Sequence, residues 1–214
     1  MDIGCGTGVL LSNLQALSPA KVYGADINLG NLYMAKEKNP GTHLIGSDVF
    51  HLPFPDNSFD MVLCHYFLLW TGHPSAALKE MRRVTTNNGY VAAFAEPDYG
   101  GRIDYPPEFI RIRDYQITSL LNAGADPRMG RSLKAIFSTG GFSDIVCGVY
   151  EGSWNNIPSQ SDLDSEWQVL EEDLSGILTS AEIAVLRKHE KKALEKGTRL
   201  IYVPTFYSWG KVNK

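Results

Sequence analysis

Met1-Asp2-Ile3-Gly4-Cys5-Gly6-Thr7-Gly8, followed by the apolar Val9-Leu10-Leu11, sets an acidic residue ahead of three glycines at alternate positions. The string reads as a strand end, a tight turn and a helix start. Glycine suits the turn because only a residue without a Cβ lets a ligand approach the backbone closely and reaches the required dihedrals without strain. The N–H groups that open the following helix then face that ligand.

Outward from this loop, strands and helices alternate. Val9, Leu10, Leu14 and Leu17 recur at helical spacing until Ser18-Pro19 stops the pattern. Val22 to Ala25 is a short strand ending in Asp26, Leu32 to Lys38 reads as helix, and Asn39-Pro40-Gly41 breaks it. His43 to Ser47 is a third strand, with Asp48 at its tip, and the proline-rich Leu52 to Asn57 is a loop. Phe59 to Cys64 is a fourth strand. Pro74 opens a helix with the apolar stripe Ala77, Leu78, Met81 and Val84, which Asn87-Asn88-Gly89 closes. Tyr90 to Ala95 is a continuous apolar run ending in Glu96-Pro97, as a strand buried on both faces should be. Ile110, Ile117, Leu120 and Leu121 mark a further helix. This alternation predicts an α/β fold with a mostly parallel sheet and helices on both sides.

After residue 130 the pattern changes. A short helix with Leu133, Ile136 and Phe137 precedes a strand at Ile145 to Tyr150. Two successive helices follow, one carrying Leu163, Trp167, Leu170 and Leu174, the other opened by the capping box Thr179-x-x-Glu182. Arg199 to Trp209 reads as one last strand. No linker or repeat divides the chain, so residues 1–214 are expected to form a single domain, with a helical insertion or lid at about 151–198. The basic pairs Arg187-Lys188 and Lys191-Lys192 read as a solvated helix face, with no partner assigned.

The 214 residues, 43% hydrophobic and 21% charged with a formal net charge of −4, provide ample material for one core. An acidic balance without a long Lys/Arg run gives no reason to expect nucleic acid as a partner. The first lysine is Lys21 and no apolar run approaches the ~20 residues of a membrane span. The odd cysteine count, Cys5, Cys64 and Cys147, suits reduced thiols and a cytoplasmic protein. Cys64, His65 and His73 are of ligand type, yet neighbours at a strand end point to opposite faces, and no metal is expected.

A dinucleotide loop has the form G-x-G-x-x-G. Here the last gap is one residue, and the acidic strand tips Asp2, Asp26 and Asp48 converge on the loop. Three carboxylates call for a ligand rich in hydroxyl or amine donors.

Taken together, Asp2 to Gly8 and the segment Gly46-Ser47-Asp48 through Leu52-Pro53-Phe54-Pro55-Asp56-Asn57-Ser58-Phe59-Asp60 resemble two hallmarks of the class I S-adenosylmethionine-dependent methyltransferases, in the small-molecule, quinone-biosynthesis-like type 11 group. The resemblance covers residues 1 to about 150, and Phe206 to Lys211 looks like the group's last strand. It implies a Rossmann-like, three-layer α/β/α fold with a seven-stranded sheet and an antiparallel last pair. It implies S-adenosyl-L-methionine as cofactor, with Gly4, Cys5, Gly6, Thr7 and Gly8 against its amino-acid and ribose parts and Asp2 near its amino end. Asp26 would accept the ribose hydroxyls beside Ile27, Asp48 and Val49 would meet the adenine, and His65 would line the methionine part. The partner would be a small-molecule methyl acceptor attacking through O, N or C.

Transfer from a sulfonium gains chiefly by orientation, and a base helps only if the acceptor must lose a proton. Catalytic candidates are His65, Glu96, Asp98, Tyr99 and Tyr105, near where open α/β sheets bind ligands. Tyr66, Phe67 and Trp70 could wall the site, and Arg131 could help the loop from Glu96 to Pro106 face the acceptor. Only Met1, Asp2 and Ile3 precede the loop, and the family places helices ahead of this strand. The resemblance therefore implies an N-terminally truncated first strand, from a fragment or a misassigned start rather than a protein that works with an open site, and with it weak cofactor binding and little or no turnover. Two alternatives remain open: a cofactor-binding protein of this fold that is impaired in turnover or dependent on a partner, and a nicotinamide dehydrogenase, which the glycine spacing opposes.

Overall fold

The computed structural model describes residues 1–17, 19–150 and 160–214. Its main sheet has seven strands, whose chain-order numbers across the sheet are 3-2-1-4-5-9-7. Five are parallel: β1 (Asp2–Ile3), β2 (Tyr23–Asp26), β3 (His43–Gly46), β4 (Phe59–His65) and β5 (Thr85–Pro97). β9 (Thr205–Val212) runs antiparallel between β5 and β7 (Phe142–Val149). β1 is central, with Ile3 opposite Ala25 on one side and Cys64 on the other. Strand order reverses between β1 and β4, so the glycine loop leaves β1 at the crevice where open sheets accommodate ligands.

The helices form where apolar stripes and caps coincide. α1 (Val9–Leu17) buries Leu11, and α2 (Leu29–Lys38) buries Leu32 and Ala35. α3 (Pro74–Val84) starts with its proline in the first turn and buries Ala77, Leu78, Met81 and Val84, the stripe expected from the sequence. α4 (Ile112–Asn122) and α5 (Met129–Thr139) follow β5, and Phe137 is fully buried. Each such side chain contributes about 1.5–3 kcal/mol by leaving water. α6 (Gln160–Leu174) packs Trp167 and Leu174 with Ile183 of α7 (Ser180–Glu195), whose capping box, Thr179 with Glu182, is formed.

Three sequence expectations need correction. Thr85 to Gly89 is strand, because β5 begins directly after α3 and absorbs the turn-like Asn87-Asn88-Gly89 with Asn88 at φ 66°. Residues Arg199 to Trp209 are two strands, since Pro204 lacks an N–H and interrupts the ladder. β8 (Leu200–Tyr202) instead pairs antiparallel with β6 (Ile103–Tyr105), Asp104 opposite Ile201, in a small ribbon within a segment read as loop. Arg187, Lys188, Lys191 and Lys192 are exposed, the solvated helix face expected from the sequence, and Arg187 reaches Asp164 at 2.8 Å and Glu171 at 3.0 Å on α6 and lies over the Trp167 ring.

Behind the ribbon lies a buried charge network. Asp104 accepts from Arg102 Nε at 2.6 Å and from Arg199 Nη2 at 2.9 Å, while Arg199 Nε donates to Glu190 of α7 at 2.7 Å. Trp167 Nε1 donates to the same Glu190 carboxylate. The network joins the ribbon to α6 and α7.

Candidate active site

The glycine loop is held from three sides. Gly4 and Cys5 both donate backbone N–H to Ala25 O, at 2.8 and 3.0 Å, and Gly8 N–H closes a turn on Cys5 O at 2.9 Å. All three glycines have positive φ, +67° at Gly4, +52° at Gly6 and +80° at Gly8. Their surroundings differ. A Cβ at Gly4 would stand 2.1 Å from the Phe67 ring, and one at Gly8 would stand 2.6 Å from Asn39 Nδ2, so these glycines permit close packing. A Cβ at Gly6 would meet nothing within 4 Å. At Gly6 the loop backbone faces open space.

The acidic tips occupy distinct settings. Asp26, half-buried at the end of β2, accepts Gly6 N–H through Oδ2 at 2.8 Å and Asn28 N–H through Oδ1 at 2.8 Å. It does not cap α2; Asn28 does, accepting from Gly30 and Asn31. Ile27 beside it is exposed. Asp48 closes an Asx turn by accepting Phe50 N–H at 3.0 Å, with Val49 buried next to it. Asp2 is buried at 2% exposure and its Oδ1 has no hydrogen-bond partner. Burial, with a smaller push from Asp26 and opposed by the Met1 amino group, raises its pKa from 3.8 to about 7. Burial also raises the Cys5 thiol to about 12, which keeps it protonated.

Beyond β4 the chain turns sharply. His65 is exposed, with its pKa lowered by partial burial, and Tyr66 adopts φ +52°. The turn is fixed by Glu96, whose fully buried carboxylate accepts the N–H groups of Phe67 at 3.0 Å, Leu68 at 2.7 Å and Leu69 at 3.1 Å. A register shift between Ala93 and Glu96, with Ala95 at φ +56°, aims the side chain inward, as bulges do. Burial nonetheless raises the Glu96 pKa.

Asp98 is likewise buried and is held by Arg131, with Nη2 donating at 2.8 Å. Tyr99 stands with its hydroxyl 3.3 Å from the Tyr66 hydroxyl. Tyr105, on β6, is exposed. Among the described residues no group of three His, Cys, Asp or Glu could hold a metal ion, and no helix is long and apolar enough to cross a membrane.

Sequence reasoning missed Asn39, read only as a helix breaker. It is 2% exposed and donates to Gly8 O and Ala35 O, both at 3.1 Å, tying the far end of the loop to α2. It also missed the pairing of Gln116 with Asp173 through Gln116 Nε2 at 2.9 Å, which forms only when α4 and α6 pack. No local signal marks either.

An open sheet with a glycine loop at its switch point, one antiparallel strand inserted near the edge and helices around it is a Rossmann-like cofactor fold. Comparison with known proteins narrows this. Residues 1–93 match the family model described as a methyltransferase domain. A demethylmenaquinone methyltransferase of Geobacillus stearothermophilus is 32% identical over 170 residues, covering 70% of this chain and 73% of that protein. An uncharacterised methyltransferase of Schizosaccharomyces pombe is 33% identical over 148 residues, 63% of this chain and 52% of that protein; the chain thus spans about half the length of this relative. The crystal structure of the [4+2]-cyclase SpnF superposes with a TM-score of 0.61 at 16% identity, over 99% of this chain and 74% of that one, a likeness of fold alone. The chain belongs to the class I S-adenosylmethionine-dependent methyltransferases. S-adenosylmethionine is the cofactor of that family.

Proposed function

We propose that the protein transfers a methyl group from S-adenosylmethionine to a small-molecule acceptor, with the loop Gly4, Cys5, Gly6, Thr7 and Gly8 as the cofactor cradle. The observation that carries this reading is the open face of Gly6, bordered by the Asp26 carboxylate and backed by buried Asp2 with an unpartnered oxygen. A ligand carrying two vicinal hydroxyls and an ammonium group matches that donor demand. Asp26 accepts the hydroxyls beside Ile27, Asp2 faces the ammonium end, Asp48 and Val49 border the base, and His65 lines the remaining edge. When bound, the cofactor supplies an electrophilic methyl group, and the residues around it serve to orient the acceptor in line.

The candidate bases divide by their partners. Glu96 and Asp98 are committed to the backbone of residues 67–69 and to Arg131, which suits positioning. Tyr99, its hydroxyl 3.3 Å from that of Tyr66, suits acceptor contact. We place the protein in the cytoplasm, a reading supported by three unpaired cysteines.

A thermal shift assay tests the proposal. S-adenosylmethionine or S-adenosylhomocysteine at a hundredfold excess over the dissociation constant should stabilise the chain by about 2.7 kcal/mol, and NADH should not. A response to NADH alone overturns it. Incubating a metabolite extract with methyl-labelled cofactor then identifies the acceptor.

A further inference from the structure

Two strand exits beside the glycine loop bring a pair of phenols together. β4 and β5 are parallel neighbours, paired as far as His65 opposite Phe94, and β4 pairs on its other side with β1, the strand that runs into the loop. The chain leaving β4 and β5 therefore emerges at the loop's end of the sheet, where open sheets accept ligands. A direct contact agrees: the Phe67 ring lies so close to Gly4 that a Cβ there would stand 2.1 Å from it.

Tyr66 and Tyr99 follow these two exits, and both backbones are tethered. Tyr66 N–H donates to Phe94 O at 2.9 Å, and Glu96 holds the three residues after it. Tyr66 sits at φ +52°, a left-handed conformation that a bulky residue takes only where its surroundings enforce it. Tyr99 opens a single 3-10 turn, Tyr99–Gly101, and its N–H donates to Pro127 O at 2.9 Å. Fixed in this way, the two hydroxyls lie 3.3 Å apart, one donating to the other, and among the described residues neither makes a further hydrogen bond. One contact between two O–H groups leaves one proton over, whichever tyrosine donates. Burial above all raises both phenols beyond their usual range, so neither is a base and that proton stays on oxygen. Tyr66 is 37% exposed, and Trp70, set edge-to-face against it with centroids 6.3 Å apart, is exposed as well. The spare donor thus stands beside an open aromatic wall.

Resting on the methyl-transfer reading above, we propose that Tyr66 and Tyr99 form a donor pair for the methyl acceptor, which carries an uncharged oxygen that takes the spare hydrogen bond and a flat carbon frame that lies against Tyr66 and Trp70. That oxygen is not the attacking atom, because a hydrogen bond into the attacking lone pair would oppose its alkylation. The attacking atom lies elsewhere in the frame and keeps its electrons for the methyl group. An acceptor of the same shape without the oxygen would leave the donor unused and bind less well.

Calorimetric titration of the full chain, saturated with S-adenosylhomocysteine, tests this with acetophenone and with α-methylstyrene, in which a methylene group replaces the oxygen. The ketone should bind about tenfold tighter, and its carbonyl stretch should move to lower wavenumber on binding. The double variant Tyr66→Phe, Tyr99→Phe should lose both the preference and the shift, with the affinities for α-methylstyrene and S-adenosylhomocysteine unchanged. Equal affinity for the two probes, failure of both to bind the loaded protein, or a double variant that keeps the preference overturns the proposal. So does a double variant that weakens both probes alike, since the tyrosines then only shape the site. If the double variant does not fold, the infrared band in the unaltered protein decides, and an unshifted carbonyl stretch overturns the proposal. Failure of S-adenosylhomocysteine to bind the unaltered chain is a separate result and strikes the methyl-transfer reading.

Discussion

The Asp26 carboxylate accepts the Gly6 backbone N–H at 2.8 Å, bridging the tip of β2 to the middle of the glycine loop. The same carboxylate holds Asn28 N–H, so one side chain sets both the loop and the entry to α2. Asp26→Ala leaves two donors at a half-buried site without partners, costing the fold about 1–3 kcal/mol. It should also remove the thermal shift with S-adenosylhomocysteine. An unchanged ligand-induced shift in this variant refutes the ribose-binding role.

Gly4 and Gly6 should separate folding from binding. Gly4→Ala drives a Cβ to 2.1 Å from the Phe67 ring and holds alanine at φ +67°, so the variant should unfold at markedly lower urea or fail to accumulate. Gly6→Ala meets no neighbour and carries only the cost of φ +52°, about 1 kcal/mol, yet its methyl group enters the open face of the loop. It should fold and lose cofactor affinity at least tenfold. Normal affinity in a folded Gly6→Ala variant would place the ligand elsewhere.

Why this much was legible follows from the range of the interactions. The parallel half is local: β1, β2 and β3 are short runs closed by a glycine or acidic tip, β4 and β5 carry longer apolar runs, and helices with their own apolar positions lie between most of them. The loop was readable because three positive φ values demand glycines in sequence. The β6–β8 ribbon was not, since three-residue strands separated by about a hundred positions carry no periodicity. Pro204, inside a run of strand-forming residues, was the available clue. The settings of Glu96 and Asp98 were equally hidden. Both end an apolar strand beside the mouth, and only the bulge at Ala95 turns Glu96 toward residues 67–69.

Asp2 makes stability fall as pH rises. Its folded pKa, about 7, lies above the usual 3.8, so between these values the native state holds a proton that the unfolded chain has lost. Stability from this group is fully present below about pH 4 and is lost progressively up to about pH 7, on the order of a few kcal/mol. Asp2→Asn should flatten that slope and raise the melting temperature at pH 8. Melting curves from pH 5 to 8 that fall in parallel for both proteins contradict the assignment.

Glu96 should prove a clamp whose loss is felt at the site. Truncation to alanine strands the three N–H groups of Phe67, Leu68 and Leu69, two of them deeply buried, at about 1–3 kcal/mol each. Glu96→Gln keeps an acceptor oxygen and should recover part of the loss. Urea midpoints should rank wild type, then glutamine, then alanine. A glutamine variant indistinguishable in stability from alanine would show that the hydrogen bonds to residues 67–69 are not what Glu96 contributes.

Asp104 tests whether the ribbon and the helices beyond it unfold as one unit. Its carboxylate is 1% exposed and sits between Arg102 and Arg199, which are also almost fully buried. Removing the negative charge leaves two guanidinium groups facing each other, with Glu190 held by Arg199 alone, and breaking a buried pair in this way costs about 3–5 kcal/mol. Arg199 also lies 4.3 Å over the Phe109 ring, so its displacement disturbs the cluster of Phe109, Ile112 and Ala193 that joins α4 to α7. Asp104→Asn should therefore expose amides of β6, β8, α6 and α7 to hydrogen exchange together, while β1 to β5 stay protected to the global limit. Exchange that rises uniformly across the main sheet as well would mean that the network stabilises the whole domain and that the ribbon with its helices is no separate cooperative unit.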